Sequence, residues 1–389
     1  MKERNGEDPA VAGRALRSAI LGLLAVEILD ELVFGAREAA WPLIRRDLDL
    51  SYAEIGLLLS VPAYVGTIVE PGIGLFADTR WRRAVVAGGG VAFALALFTA
   101  ALSESFWPLL AAFVVLFPAA GAFVSLSQAT LMDLDPEGRE RNMARWSIAG
   151  GLGAVAGPLA VAALAGWDEA WRWLFGAFAV LALGLLVLTM RSWPTHLRSH
   201  ATRPSLRNAL RALRRRAVAR WLLLLEAADL MTDVLLAFVA LYFVDVVGAS
   251  PETGGLAVAV WTGAGLAGGL GIMLMLRRYS GLAYLWVSAP TALVLYAALL
   301  TLPGVAVKLV LLGALGLATA GWYSIPKARL YAALPGQSGA VLTLGGLAGI
   351  IRAAAPLTIG LVAERYGLDA AMWLLLAGPL LLLLLLPRS

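Results

Sequence analysis

What most limits this chain is the succession of apolar runs that fills it from end to end. A run of about twenty residues crosses roughly 30 Å of hydrocarbon as a helix. Within lipid every peptide N–H and C=O must be satisfied by the chain itself, which leaves helices or closed barrels, and the short alternating segments of a barrel are absent. Twelve spans are expected: Ser18 to Ile44, Tyr52 to Ala77, Ala84 to Ser103, Trp107 to Leu131, Trp146 to Ala165, Trp171 to Met190, Trp221 to Val247, Gly254 to Leu276, Ala283 to Leu302, Val305 to Ala328, Val341 to Ala363 and Leu368 to Leu386. With 60% hydrophobic and 15% charged residues and a mean hydropathy of +0.80, the chain reads as an all-α membrane protein rather than a set of soluble domains.

An even number of spans puts both termini on one side, and basic residues say which. Of the 31 arginines and lysines, 24 fall in the tail, the C-terminus and the loops after even-numbered spans, and four on the opposite face. By the excess of positive charge on the inner side, both termini are expected in the cytoplasm, with the chain in the plasma (cytoplasmic) membrane. The tail, residues 1–17, has no signal-peptide core, so the first apolar segment is expected to stay in the protein. The longest loop, residues 191–219, carries eight arginines and no acid. It separates a first bundle of six helices, residues 18–190, from a second, residues 220–389. Its charge fits a topology signal and contact with anionic lipid, with a specific partner as the other reading; Leu206 to Ala219 reads as a short amphipathic surface helix. Nothing calls for nucleic acid or an obligate protein partner. Trp107, Trp167, Trp171 and Trp173 are expected at the outer interface, and Trp81, Trp146, Trp193 and Trp221 at the inner one.

Against this apolar background three carboxylates stand in the first span, Glu27, Asp30 and Glu31. An ionised acid at mid-bilayer costs about 2.5 to 3.5 kcal/mol on insertion scales, so their face must look into protein or water. Offsets of three and four residues put all three on one face. The seventh span repeats the pattern with Glu226, Asp229 and Asp233, also opening on Glu-x-x-Asp. Two halves of six spans with an echo between spans one and seven indicate a duplicated transporter built as two pseudo-symmetric six-helix bundles.

After span two comes Gly74-Leu-Phe-Ala77-Asp78-Thr79-Arg80-Trp81-Arg82-Arg83, which is similar to the loop signature of the major facilitator superfamily at Gly74, Ala77, Asp78, Arg82 and Arg83. Trp81 stands where that family usually has glycine. Trp171-Arg172-Trp173-Leu174-Phe175 at the start of span six and Gly150-Gly151-x-Gly153-x-x-x-Gly157-Pro158 in span five also resemble family patterns, the latter an antiporter-associated one; Val161 and Ala162 replace its later glycine pair. The resemblance covers essentially the whole chain. It implies alternating access, a gating latch in which Asp78 caps helix eleven while Arg82 and Arg83 pair with Asp133, and a central cavity walled by helices one, four, seven and ten. The glycines of span five, and the same spacing at Gly265 to Gly269 and Gly345 to Gly349, read equally as close helix packing.

In that fold Glu27, Asp30 and Glu31 are expected to face Glu226, Asp229 and Asp233, with Glu70 at a similar level and Arg37 and Arg352 as candidate charge partners. Lys308, near a span end, is expected to snorkel. Opposed carboxylates at one depth cannot all stay ionised and unpaired, so protons or a cation must share them. The leading expectation is proton-coupled export of a cationic compound, with Trp322 and Tyr323 as cavity aromatics. The alternatives are a hard metal cation held by Glu27, Asp30, Glu226 and Asp229, a neutral or anionic solute with the acids serving proton coupling alone, and a non-transporting sensor. No cofactor is expected, only a proton or sodium as coupling ion. With no cysteine, two histidines in the loop (His196 and His200) and no phosphate-binding Gly-x-x-x-x-Gly-Lys loop, neither an enzyme nor an ATP-driven pump is expected.

Overall fold

The computed structural model describes residues 9–74, 80–134, 138–193, 211, 213–334, 344–345 and 348–387. The described chain is almost entirely helical. Among the described residues nine helices are long and apolar enough to cross a membrane: α2 (Tyr52–Ile73), α3 (Arg82–Ala101), α4 (Phe106–Leu134), α5 (Arg141–Leu164), α6 (Ala170–Arg191), α8 (Pro251–Met275), α9 (Gly281–Thr301), α10 (Val305–Ala333) and α12 (Leu368–Leu385). Three elements complete the order: α1 (Pro9–Leu48), α7 over residues 216–246, and α11 (Ala355–Tyr366), entered through a helical stretch at 348–352 and a turn at Ala353 and Ala354. The order is consistent with twelve spans. Helix α1 begins nine residues before the expected Ser18, α5 starts ahead of Trp146, and α7 begins ahead of Trp221.

Local chemistry accounts for several boundaries. Ser51 and Glu54 form a reciprocal capping box, with the Ser51 N–H donating to Glu54 Oε2 at 2.8 Å and the Glu54 N–H to Ser51 Oγ at 3.2 Å, which starts α2 sharply. Ser250 caps α8 ahead of Pro251, and Ser280 caps α9. Gly367, at φ 89°, makes the break between α11 and α12 in a region closed to other residues at low cost.

Close packing runs through glycine. A Cβ on Gly153 would lie 2.3 Å from Ile28 O, and one on Gly157 2.2 Å from Leu32 O, so the span-five motif is the surface on which α5 lies against α1. The two halves meet where Gly255 faces Ala162, where Leu266 lies over Gly151, and where α2 crosses α11 at Gly56 and Gly360. A Cβ on Gly265 or Gly269 would meet nothing within 4 Å; the close approach of α8 to α10 is made by Gly268 against Leu317 and Ala320 and by Gly316 against Trp261 and Ala264. That expected pair is displaced because one residue on a helix turns the face by about 100°.

Two interface residues are also placed differently. Trp107, Trp167 and Trp173 are exposed as belts require, but Trp171 is fully buried, with its Nε1 donating to Asp47 Oδ2 at 2.9 Å, and Trp146 is buried. An indole with a fixed acceptor loses its reason to sit at the interface. Arg172 beside Trp171 donates to the carbonyls of Ala101 and Ser103 at 3.0 and 2.5 Å, closing the end of α3. Lys308 does not snorkel: it is 6% exposed and donates to Tyr242 Oη at 2.9 Å and to Leu299 O, tying α10 to α7 and α9. A free carbonyl at a helix end within reach outcompetes the path to water.

Candidate functional site

The sequence places the acid-bearing face of α1 opposite that of α7, and between them the fold leaves two adjoining cavities of about 580 and 510 Å³. Both are lined by Ala63, Glu70, Phe117, Asp233 and Arg352; the second adds Asp30, Glu31, Arg37 and Glu38, and the first Thr67, Thr232 and Tyr323. The walls therefore come from α1, α2, α3, α4, α7, α10, α11 and the stretch before it. Two of these helices carry a π-helical turn, Gly121–Ser125 in α4 and Leu230–Val234 in α7. A π turn re-aims side chains within a continuous helix and recurs at functional sites. Here one bears Gly121, where a Cβ would sit 3.1 Å from Glu70 Cγ, and the other bears Asp233.

Charge is distributed unevenly in this space. Asp229, 1% exposed, accepts from Arg352 Nη1. Arg37, 6% exposed, donates from Nη2 to Glu38 Oε1 at 2.5 Å, and Glu38 also accepts from Trp41 Nε1 at 2.9 Å. Both guanidinium groups thus have a carboxylate of their own. Asp30, Glu31, Glu70 and Asp233 line the cavities with no basic residue within salt-bridge distance among the described residues. The lining holds five carboxylates against two arginines, with four of the acids from the first half of the fold and Asp233 from the second.

Some expected site residues stand elsewhere. Glu27, 7% exposed, is pressed between α1 and α5, where a Cβ on Gly150 would lie 2.6 Å from its Oε1, and Trp146 is its hydrogen-bonding neighbour. Glu226 lies one turn before Asp229 with both oxygens buried and without a hydrogen-bond partner among the described residues, a costly arrangement for a charge. Neither lines a cavity. The metal set Glu27, Asp30, Glu226 and Asp229 is not brought together, and no cluster able to hold a metal ion occurs among the described residues. The offset is geometric: equal depth on two helices does not make their side chains converge when one points into a helix–helix seam. Trp322, expected in the cavity, is fully buried and donates to Ser288 Oγ at 2.9 Å; Tyr323 does line it, with Lys327 bonded to its hydroxyl. Adjacent helical residues face directions about 100° apart, so only one of the two reaches the space.

Glu38 was not singled out in the sequence, although it adjoins Arg37 and precedes Trp41 by three residues, a spacing that lets both share one acceptor. Phe34 and Phe117 also belong here, their ring centroids 5.0 and 5.1 Å from Arg37 Cζ.

At the end that carries the termini, Arg82 Nη1 donates to Asp133 Oδ2 at 2.8 Å and Arg83 Nη2 to Met190 O at 3.0 Å. Both contacts stay within the first half. Asp78 lies outside the described residues. At the opposite end the halves are joined. Arg45 meets Asp245 at 3.3 Å, Tyr52 Oη donates to Asp245 Oδ2 at 2.8 Å, the Tyr52 N–H donates to Glu364 Oε2 at 2.9 Å, and the Leu357 N–H donates to Ser60 Oγ at 3.0 Å. Ties of this kind hold one end shut while the other opens. Replacing Asp245 by alanine is expected to lengthen the distance between spin labels carried by Arg46→Cys and Val246→Cys, and the cysteine-free chain supplies no background label. An unchanged distance distribution would remove Asp245 from the closure.

Residues 28–351 match the sequence model of the Major Facilitator Superfamily. A search of curated proteins gave no match. Among solved structures the chain is similar to a bacterial homologue of the human lysosomal transporter Spinster in an inward-facing, unoccupied conformation, at TM-score 0.77 and 17% identity, covering 98% of this chain and 96% of that one. It is also similar to the nucleoside transporter NupG, at TM-score 0.76 and 15% identity over 94% and 97% of the two chains. A D-xylose–proton symporter matches at 0.70 and 16% over 95% and 96%.

Proposed function

From the premise that the chain belongs to the major facilitator superfamily, and is a multi-pass membrane transporter rather than an enzyme, we propose that it couples proton movement to transport of a positively charged solute. The observation that carries this reading is the set of four lining carboxylates, Asp30, Glu31, Glu70 and Asp233, left without a basic partner while both nearby arginines are engaged. Protons and cargo then compete for the same oxygens, and whichever occupies them changes the relative cost of the two arrangements of the halves. With both termini in the cytoplasm, in keeping with the basic loops, the ties at Arg45, Tyr52, Asp245 and Glu364 lie on the outer side, and the cavity faces inward. The glycine–proline stretch of α5 packs closely on α1, a role compatible with the antiporter-like reading of that motif and with export as the direction. Sodium in place of the proton fits the same oxygens.

In proteoliposomes loaded at acid pH, external N-methylpyridinium, a permanently charged ion, is expected to drive proton release that empty liposomes do not show. No release would defeat the cation reading. A second reading, a neutral polar solute with the acids serving the proton alone, is favoured by the Thr67, Thr232 and Tyr323 hydroxyls at the cavity wall. Proton flux evoked by a nucleoside or pentose, and not by N-methylpyridinium, would select it.

A further inference from the structure

The cavity is not uniformly acidic: Arg352 and Arg37 both line it, and Arg37 is the more deeply buried of the two. Arg37 is 6% exposed and lines the space, yet of its three nitrogens only Nη2 has a hydrogen-bond partner, Glu38 Oε1. Its Nε is buried without one, and Nη1 has none among the described residues. A guanidinium presents five donors in a planar fork suited to a carboxylate or similar oxyanion. Leaving a buried donor unmade is expensive, and on a residue that lines a cavity it points to an acceptor that comes and goes.

The surroundings hold that group in place. Phe34 and Phe117 flank the guanidinium with centroids 5.0 and 5.1 Å from Cζ, and Glu38, itself 2% exposed and fixed by Trp41, grips one edge. The guanidinium is therefore held in place rather than mobile. Phe117 continues the wall toward the acids. It lies 3.6 Å from the position of a Cβ on Gly66, and Glu70 Oε1 lies 3.7 Å from the same point. Asp30, Glu31 and Asp233 line the same cavity, and Asp30 precedes Arg37 by seven residues, two helical turns or about 10 Å of rise.

We infer that the cargo is zwitterionic, its anionic end taken by Arg37 and its cationic end by Asp30, Glu31, Glu70 and Asp233, with a flat apolar body along Phe117. This rests on the cation reading above and adds the second charge. The ion pair with Glu38 does not cancel the site: one carboxylate satisfies one edge of the fork, and the other edge keeps its preference for an oxyanion.

Three compounds of one shape separate the terms: 4-(aminomethyl)benzoate carries both charges, 4-methylbenzylamine the positive one alone, and 4-methylbenzoate the negative one alone. Binding to the purified full-length protein, read by calorimetry, is expected to be at least tenfold tighter for the zwitterion than for the amine, and weakest for the benzoate. Arg37→Gln should bring zwitterion and amine within about twofold of each other. Should that variant fail to fold, Glu38→Gln provides the second test. It keeps an acceptor for Trp41, frees Arg37 from a competing charge, and should strengthen 4-methylbenzoate several-fold. Equal affinity for zwitterion and amine in the unaltered protein, or a preference that survives Arg37→Gln, overturns the inference and leaves the cation reading standing. If neither amine-bearing compound binds, both fall.

Discussion

Joint replacement of Asp30 and Asp233 by asparagine is expected to lower cargo-driven proton flux on the order of 100-fold while the protein remains folded. The two side chains enter the same space from opposite halves, α1 and the π turn of α7. They are half of the lining carboxylates that have no basic residue within salt-bridge distance among the described residues. Asparagine keeps the volume and the hydrogen-bonding oxygen and removes the charge, so packing should not suffer. Stability in detergent should hold or rise, because an unpaired acid in a semi-enclosed space is a cost the fold carries for another reason. That separation makes the result readable: intact melting with lost flux supports a coupling role, whereas intact melting with retained flux shows that the proton travels elsewhere. Single replacements should be milder, since Glu31 and Glu70 remain in the same cavity.

The largest loss of stability is expected from Gly157→Ala. A methyl there would meet Leu32 O at 2.2 Å and Ala36 N at 2.6 Å, both backbone atoms of α1. Neither can rotate aside, so α5 must move away from α1 as a body. Overpacking of this kind costs about 1 to 3 kcal/mol, occasionally more. Because the same seam holds Glu27 and backs the acid face of α1, cargo flux should fall with melting temperature. Gly176→Ala in α6 is the control: nothing lies within 4 Å of that position, and alanine favours the helix by about 0.8 to 1 kcal/mol over glycine. Equal melting temperatures for the two variants would show that the α1–α5 seam is less tight than its geometry requires.

Much of the site was legible in the chain because charge in an apolar helix is costly and therefore conspicuous. The twin acid patterns of spans one and seven, Glu70 and Arg352 could all be found by that cost alone, and Arg352 does meet Asp229. Glu38 was the instructive omission. Beside Arg37 it looked like part of a charged span end, and only its burial with Arg37 and Trp41 marks it as the support of a guanidinium. Trp322 and Tyr323 show the complementary difficulty. Both had the chemistry for a cavity, but which of two adjacent helical residues faces inward depends on the rotation of the whole helix against its neighbours. Glycine spacing told where helices touch in α5 and failed in α8, for the same reason of one-residue phase.

Length, hydropathy and the placement of basic residues determined by themselves that this chain crosses a membrane many times in two related halves, because the bilayer imposes those terms on every segment separately. Which acids share a cavity, which one is pressed into a helix seam, and which arginine keeps a free edge were decided only by tertiary structure. Those outcomes depend on the rotation and crossing of helices far apart in sequence, and no single segment carries that information.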